Sequence, residues 1–179
     1  MLAFRTLLAL ALVAGAAGAE ATIVEALTLS RALELCSDVV TGQVVDSHSL
    51  MESNGVIYTE TSVRVDEALH GPGAPDGIVV VRELGGVVGS IGMTVEGVAR
   101  FELGERVLLF LEPAGESARR TVGLYQGAYT LSELDGVTTA LQKPSDGALS
   151  AGQDAPGRLP ERMQLVDFVG AIRLEGGAR

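Results

Sequence analysis

Alternating polar and apolar positions mark the clearest element of the chain, a strand over residues 56–69. Odd positions from Ile57 to Val65 carry aliphatic residues or threonine, and even positions from Tyr58 to Asp66 are mostly polar. Side chains on a strand point alternately to its two faces, so this pattern predicts one buried and one solvated face.

The residues before this strand predict that it belongs to a hairpin. Residues 52–55 have the composition of a turn, and residues 39–50 contain a β-rich stretch. We therefore expect strands near 39–50 and 56–69 to pair antiparallel. Gly42 lies inside the first strand, where glycine typically marks a β-bulge or a sharp bend.

Four more strands follow from the pattern. Residues 78–83 have the pattern of a strand. Residues 107–111 are apolar at both odd and even positions, which is typical of a strand buried on both faces. Strands near 121–133 and 137–142 flank Asp135 and Gly136, a strong two-residue hairpin signal.

A helix is expected at each end of the strand-rich region. Residues 29–36 suit a short helix with Thr28 or Ser30 as N-cap. Pro160 fits the first turn of a second helix over 160–175, because proline lacks the N–H that a first turn leaves unbonded. Its apolar stripe predicts docking on the sheet, and a helix that captures a partner is the alternative. The stripe consists of Leu165, Phe168, Val169 and Ile172.

These elements predict a mainly β fold, a small OB-like antiparallel barrel or curved sheet of five to seven strands. Residues 1–19 have the positive, apolar and small-residue order of a cleaved signal peptide. We expect the barrel domain over 20–142 and a linker or loop over 143–159. The signal predicts export across an inner membrane to the periplasm or the medium, with no membrane span after cleavage.

Composition narrows the possible partners. The chain has 179 residues, 13 Lys and Arg, 23 Asp and Glu, and a formal net charge of −10. This balance argues against nucleic acid, whose affinity comes largely from basic residues on phosphates. It argues equally against anionic lipid. A protein or an envelope component is the expected partner.

The single cysteine excludes an intramolecular disulfide. Cys36 shares a helical face with Leu29, Ala32 and Leu33, so we expect a buried thiol.

Glycines dominate one segment after the strand at 78–83. No helix start follows it, so it lacks the geometry of a phosphate-binding loop. A mobile loop or a set of tight turns is the expected structure, and such a loop is a candidate binding surface. Its glycines are Gly85, Gly86, Gly89 and Gly92.

Catalytic and metal-binding patterns are weak. The two histidines, His48 and His70, have no ligand-like spacing, although Asp46 and His48 would share a strand face. Neither a Gly-x-Ser-x-Gly motif nor a convergent acid pair is present. We expect a non-enzymatic protein without a cofactor.

Several segments together resemble a known group. They are similar to those of small exported bacterial proteins and, more distantly, to the OB-type barrel of netrin-like domains and tissue inhibitors of metalloproteases. The similar segments are residues 35–44, 57–59, 65–71, 85–86 and 101–111.

The resemblance implies a barrel and, as one alternative, an inhibitor or companion of an extracellular protease. In those inhibitors an N-terminal cysteine binds the zinc ion of the target enzyme. Cys36 is internal in this chain, so that inhibitory mechanism does not apply to it. The primary hypothesis is an exported binding domain. A metal-dependent envelope enzyme using His48 and His70 is the other alternative.

Overall fold

A computed structural model describes residues 23–74, 76–151 and 156–177. The predicted signal peptide, residues 1–19, lies outside the described residues. The elements, in chain order, are β1 (Ile23–Glu25), α1 (Leu29–Leu35), β2 (Asp38–Met51), β3 (Ile57–His70), β4 (Ile78–Leu84), β5 (Gly86–Val88), β6 (Ile91–Met93), β7 (Arg106–Pro113), β8 (Arg119–Thr121), a 3₁₀ turn (Leu124–Gly127), β9 (Ala128–Leu134), β10 (Val137–Gln142), β11 (Leu149–Ala151), β12 (Arg162–Gln164) and α2 (Leu165–Gly176).

One large mixed sheet dominates this mainly β fold. Its strand order is β12-β10-β9-β7-β2-β3-β4-β8, and β8 also pairs with β7. The sheet has eight strands rather than the predicted five to seven. The additions are the three-residue strands β8 and β12, which are too short to show a period-2 pattern. The mainly β class is confirmed.

The predicted hairpin forms between β2 and β3. The two strands pair antiparallel from Val39 opposite His70 to Met51 opposite Ile57. The register shifts next to Gly42, where an added Cβ would lie 2.3 Å from the backbone oxygen of Arg64. The close approach of the two backbones explains why the strand carries glycine at this bulge.

Strand β7 divides the hydrophobic core, as its apolar sequence predicts. Leu108 and Phe110 face a cluster beneath the two helices, while Val107, Leu109 and Leu111 face a second cluster between β2, β3, β4 and β7. All five side chains are fully buried. The strand is buried on both sides because its two neighbouring layers are both apolar.

Helix α2 begins later than predicted. Residues 162–164 form β12, which pairs antiparallel with β10, so the helix starts at Leu165 and Pro160 lies outside it. The apolar stripe itself is confirmed, since Phe168 and Ile172 are fully buried. The ring centroid of Phe168 lies 5.0 Å from that of Tyr129, which places the helix on the protein's own core.

Two other segments also differ from expectation. The strand predicted over 121–133 is interrupted by the 3₁₀ turn, whose residue Leu124 has a positive φ of 61°. The segment 143–159, expected to be a linker or loop, contains β11, which pairs parallel with β1. The side chain of Cys36 is buried, as expected. Within the described part of the chain, no helix is long and apolar enough to cross a membrane.

Candidate functional site

The candidate site lies where β4 and β8 separate. Strand β4 pairs with β3 along its whole length, but it meets β8 only through the pair Val81 and Arg119. Beyond that pair a groove of about 710 Å³ opens, lined by parts of β3, β4, β7 and β8 and by the loop after β7. Its lining residues include Glu83.

The side chain of Glu83 lies on the buried face of the sheet. Along β4 the buried residues alternate as Val79, Val81 and Glu83, so the carboxylate continues an apolar face. Glu83 is only 8% exposed, and a carboxylate on such a face requires hydrogen-bond partners.

Thr121 supplies those partners from β8. Its backbone N–H donates to Glu83 Oε1 at 2.7 Å, and its hydroxyl donates to the same oxygen at 2.6 Å. The Glu83 side chain therefore takes the place of the backbone ladder that ends at Val81. Among the described residues no hydrogen bond reaches the other oxygen, Oε2, and this atom is not sealed from solvent.

Burial dominates the titration of this carboxyl group. Desolvation raises the pKa of Glu83 from 4.5 to about 7, although the two bonds from Thr121 and the charge of Arg120 act in the opposite direction. Burial thus moves the titration of this group toward neutral pH. A strongly perturbed carboxyl in a groove is a recognised sign of a functional site.

The other charged groups of the groove are already paired. Arg82 donates to Glu60 at 2.9 Å and to Glu52 at 3.1 Å, and its guanidinium lies 5.0 Å from the ring centroid of Tyr58. Arg120 donates to Glu112 at 2.7 Å. Glu83 differs from these groups, since no ion pair to it occurs in the described residues.

A smaller cavity of about 340 Å³ also borders Glu83, and its lining includes Ser49, Thr59 and Thr61. Ser49 and Thr59 face each other across β2 and β3 with their hydroxyl oxygens 3.0 Å apart. The Thr59 hydroxyl also donates to the carbonyl oxygen of Gly85 at 2.8 Å. Glu83 therefore lines both the groove and this smaller cavity.

The glycine segment forms a hairpin rather than the expected loop or set of turns. Strands β5 and β6 pair antiparallel across Gly89 and Ser90. Gly86 lies so close to β2 that an added Cβ would be 2.3 Å from the hydroxyl of Ser49. Gly85 and Gly86 line the smaller cavity beside Glu83, whereas Gly89 and Gly92 do not.

The histidines do not share a site. His48 pairs with Glu60 and His70 with Val39 along the β2–β3 ladder, so they are ten positions apart along β3, or roughly 33 Å. His48 Nδ1 lies 3.2 Å from Asp46 Oδ2, which confirms that these two side chains share a face. No group of three or more His, Cys, Asp or Glu with metal-binding geometry occurs in the described ranges.

Sequence reasoning missed Glu83 as a functional residue and treated it only as the end of a strand. The signal was present, because the alternation of Val79 and Val81 places Glu83 on the same face. Its partner Thr121 is 38 residues away in the chain, and no local pattern indicates that contact.

Comparison with known proteins adds no family to this description. No protein-family model matches the chain, and no curated protein matches it.

Proposed function

We propose that this protein is an exported, non-enzymatic binding domain whose ligand occupies the groove at Glu83. One observation carries the proposal: the buried carboxylate of Glu83, which lines a groove of about 710 Å³, is held through Oε1 by Thr121, while no described residue forms a hydrogen bond to Oε2. A hydrogen bond to a charged group contributes about 1.5–3 kcal/mol net, which a ligand that bonds Oε2 would gain.

The strand pairings support a finer fold proposal, a small OB-like barrel. Strand β8 pairs with β4 on one side and with β7 on the other, and β7, β2 and β3 complete the circuit. In this arrangement the groove is the gap left where the β4–β8 contact is a single pair. Barrel mouths of this kind are frequent positions for ligand sites.

The rigid setting of Glu83 supports binding over catalysis. Both donors to Oε1 come from a single residue of a paired strand, so the carboxylate is oriented before any ligand arrives. Preorganisation of this kind lowers the cost of binding. The carboxyl group of Glu112, the other acid that lines the groove, is bonded by Arg120.

The test compares ligand capture by three variants of the protein purified after export. Glu83→Gln removes the charge, and Ala114→Trp fills the groove from the loop after β7 without altering Glu83. Glu102→Gln, at an exposed position, is the matched control. Thermal unfolding establishes that each variant is folded.

We expect a component of the envelope or secreted fraction to be retained by the native protein and by Glu102→Gln, and to be lost by both groove variants. Retention by all four proteins would contradict a site in this groove. Turnover of any substrate by the native protein in a broad hydrolase screen would contradict the non-enzymatic assignment.

A further inference from the structure

We propose that the groove binds a primary ammonium group carried on an apolar body, with Glu83 Oε2 as its counter-ion. The inference rests on the proposed binding function and names the chemical class of its ligand. It follows from the charges around the groove, from the number of free oxygens on Glu83, and from the apolar character of the remaining lining.

The charge argument favours a cation. Arg82 and Arg120 are each bonded by carboxylates, of Glu60 and Glu52 in one case and of Glu112 in the other. Arg100, beside the smaller cavity, pairs with an aspartate at 3.8 Å. A cationic ligand would pair with Glu83, the one acid of the groove that lacks a charge partner among the described residues. An anion would be repelled by Glu83, and both arginines are already paired with carboxylates.

The geometry of Glu83 favours an ammonium over a guanidinium. Guanidinium groups bind carboxylates best through two parallel hydrogen bonds, one to each oxygen. Here Oε1 already accepts two hydrogen bonds from Thr121, so one oxygen remains. A compact ammonium can donate a single hydrogen bond to that oxygen, because its donors do not require the paired geometry that a guanidinium prefers.

The rest of the groove suits an aliphatic stem. Leu84, Val98, Pro113 and Leu124 line it together with the ring of Tyr58. An alkyl chain laid along these side chains is removed from water while its ammonium end reaches Glu83, in the way that lysine stems lie along apolar surfaces. Both a free amine and a lysine side chain have this chemistry.

Binding changes the protonation of Glu83, and the proton balance is explicit. Because the pKa of Glu83 is raised to about 7, part of the population carries a protonated Glu83 near neutral pH, and the ammonium binds the ionised form. Each protonated molecule that binds therefore releases one proton to the buffer, while the ligand keeps all of its own. The other charged groups that line the groove are Arg82, Arg120 and Glu112, which are held in ion pairs within the protein.

The experiment is calorimetric titration of the protein with n-hexylammonium, n-hexanol and n-hexylguanidinium. We expect the alcohol and the guanidinium to bind at least about tenfold more weakly than the ammonium. A difference of this size corresponds to the loss of one charge-assisted hydrogen bond to Glu83. Titrations near pH 7 in two buffers of different ionisation enthalpy should show net proton release of less than one proton per site. Near pH 9 the release should vanish.

Three variants make the result specific. Glu83→Gln should abolish the preference for the ammonium, and Glu102→Gln should leave it unchanged. Thr121→Val keeps Glu83 but removes one hydrogen bond to its ionised form. It should therefore weaken ammonium binding more near pH 7 than near pH 9.

A lysine-containing peptide blocked at its N-terminus distinguishes the two ligand sources. Binding of the peptide and of n-hexylammonium supports a lysine side chain, and binding of n-hexylammonium alone supports a free amine. Equal binding of the alcohol and the ammonium, or no ammonium binding at all, overturns the inference. The proposed binding function can hold even if the ammonium inference fails. It is supported if the native protein retains a component of the envelope or secreted fraction that Ala114→Trp and Glu83→Gln do not retain.

Discussion

Replacement of Glu83 by glutamine tests the energetic description of the site most directly. Glutamine has nearly the same shape and keeps a carbonyl oxygen that accepts from Thr121, but it cannot ionise. In the native protein, burial raises the pKa of Glu83 from 4.5 to about 7. The variant therefore removes the titration of this one group and little else.

The sign of the effect follows from proton linkage. Below about pH 4.5 both the folded and the unfolded chains hold the proton, so the group has no pH-dependent effect on stability. Between about pH 4.5 and pH 7 the folded protein keeps the proton while the unfolded chain loses it, and stability falls as pH rises. Above pH 7 both states are ionised and the loss is constant.

The size of the loss comes from the same two values. The difference between 4.5 and about 7 corresponds to about 3 kcal/mol, at about 1.36 kcal/mol for each pH unit. The low exposure of Glu83, 8%, means that solvent screens this effect little. The free energy of unfolding of Glu83→Gln minus that of the native protein should thus rise by about 3 kcal/mol between acid and mildly basic pH.

Urea unfolding of both proteins at a series of pH values measures this difference. The other carboxylates titrate equally in both chains and cancel in the subtraction. Glu102→Gln, an exposed control, should show no comparable rise. A difference for Glu83→Gln that stays constant from about pH 4.5 to about pH 8 would refute the reasoning, because it would mean that burial does not perturb this carboxyl group.

Three further substitutions test the framework around the site by chemical unfolding. Phe168→Ala should cost about 3–5 kcal/mol, because the ring is fully buried against the core and its loss leaves a cavity. Gly42→Ala should cost about 1–3 kcal/mol, because its Cβ would lie 2.3 Å from the backbone oxygen of Arg64 and the strands must separate. Asp38→Ala should cost about 3–5 kcal/mol, because it leaves the half-buried Arg119, bonded at 3.2 Å, without its carboxylate.

Matched controls separate these effects from general sensitivity. Leu174→Ala changes an apolar residue of the same helix that is 80% exposed, and Asp66→Ala removes an exposed aspartate. Gly92→Ala adds a Cβ whose nearest neighbour would be 3.8 Å away. Each control should change the free energy of unfolding by less than about 0.5 kcal/mol, and costs equal to those above would contradict the contacts assigned.

Local patterns predicted the long elements well. The alternation of β3 and the continuous apolar run of β7 are direct consequences of one or two buried faces, and both are confirmed. The hairpin at Asp135 and Gly136 is also local, since both residues have positive φ, as a tight two-residue turn requires.

Local patterns did not predict the short elements. Residues 162–164 were assigned to a helix, but hydrogen bonds to β10 make them a strand. Three residues contain too little pattern for periodicity to choose between helix and strand. The glycine segment is likewise a hairpin, in which β5 pairs with β6. Hydrogen bonds with the hydroxyl groups of Ser49 in β2 and Thr59 in β3 hold it against the sheet.

The sequence by itself determined which strand faces are apolar, and hence that Glu83 shares a face with Val79 and Val81. Only the tertiary structure decided what that carboxylate does. Its burial, its bonds to Thr121 and the groove at Oε2 arise from β8, a strand distant in the chain. Desolvation depends on every atom packed around a group, and the spacing of residues along one strand contains no information about those atoms.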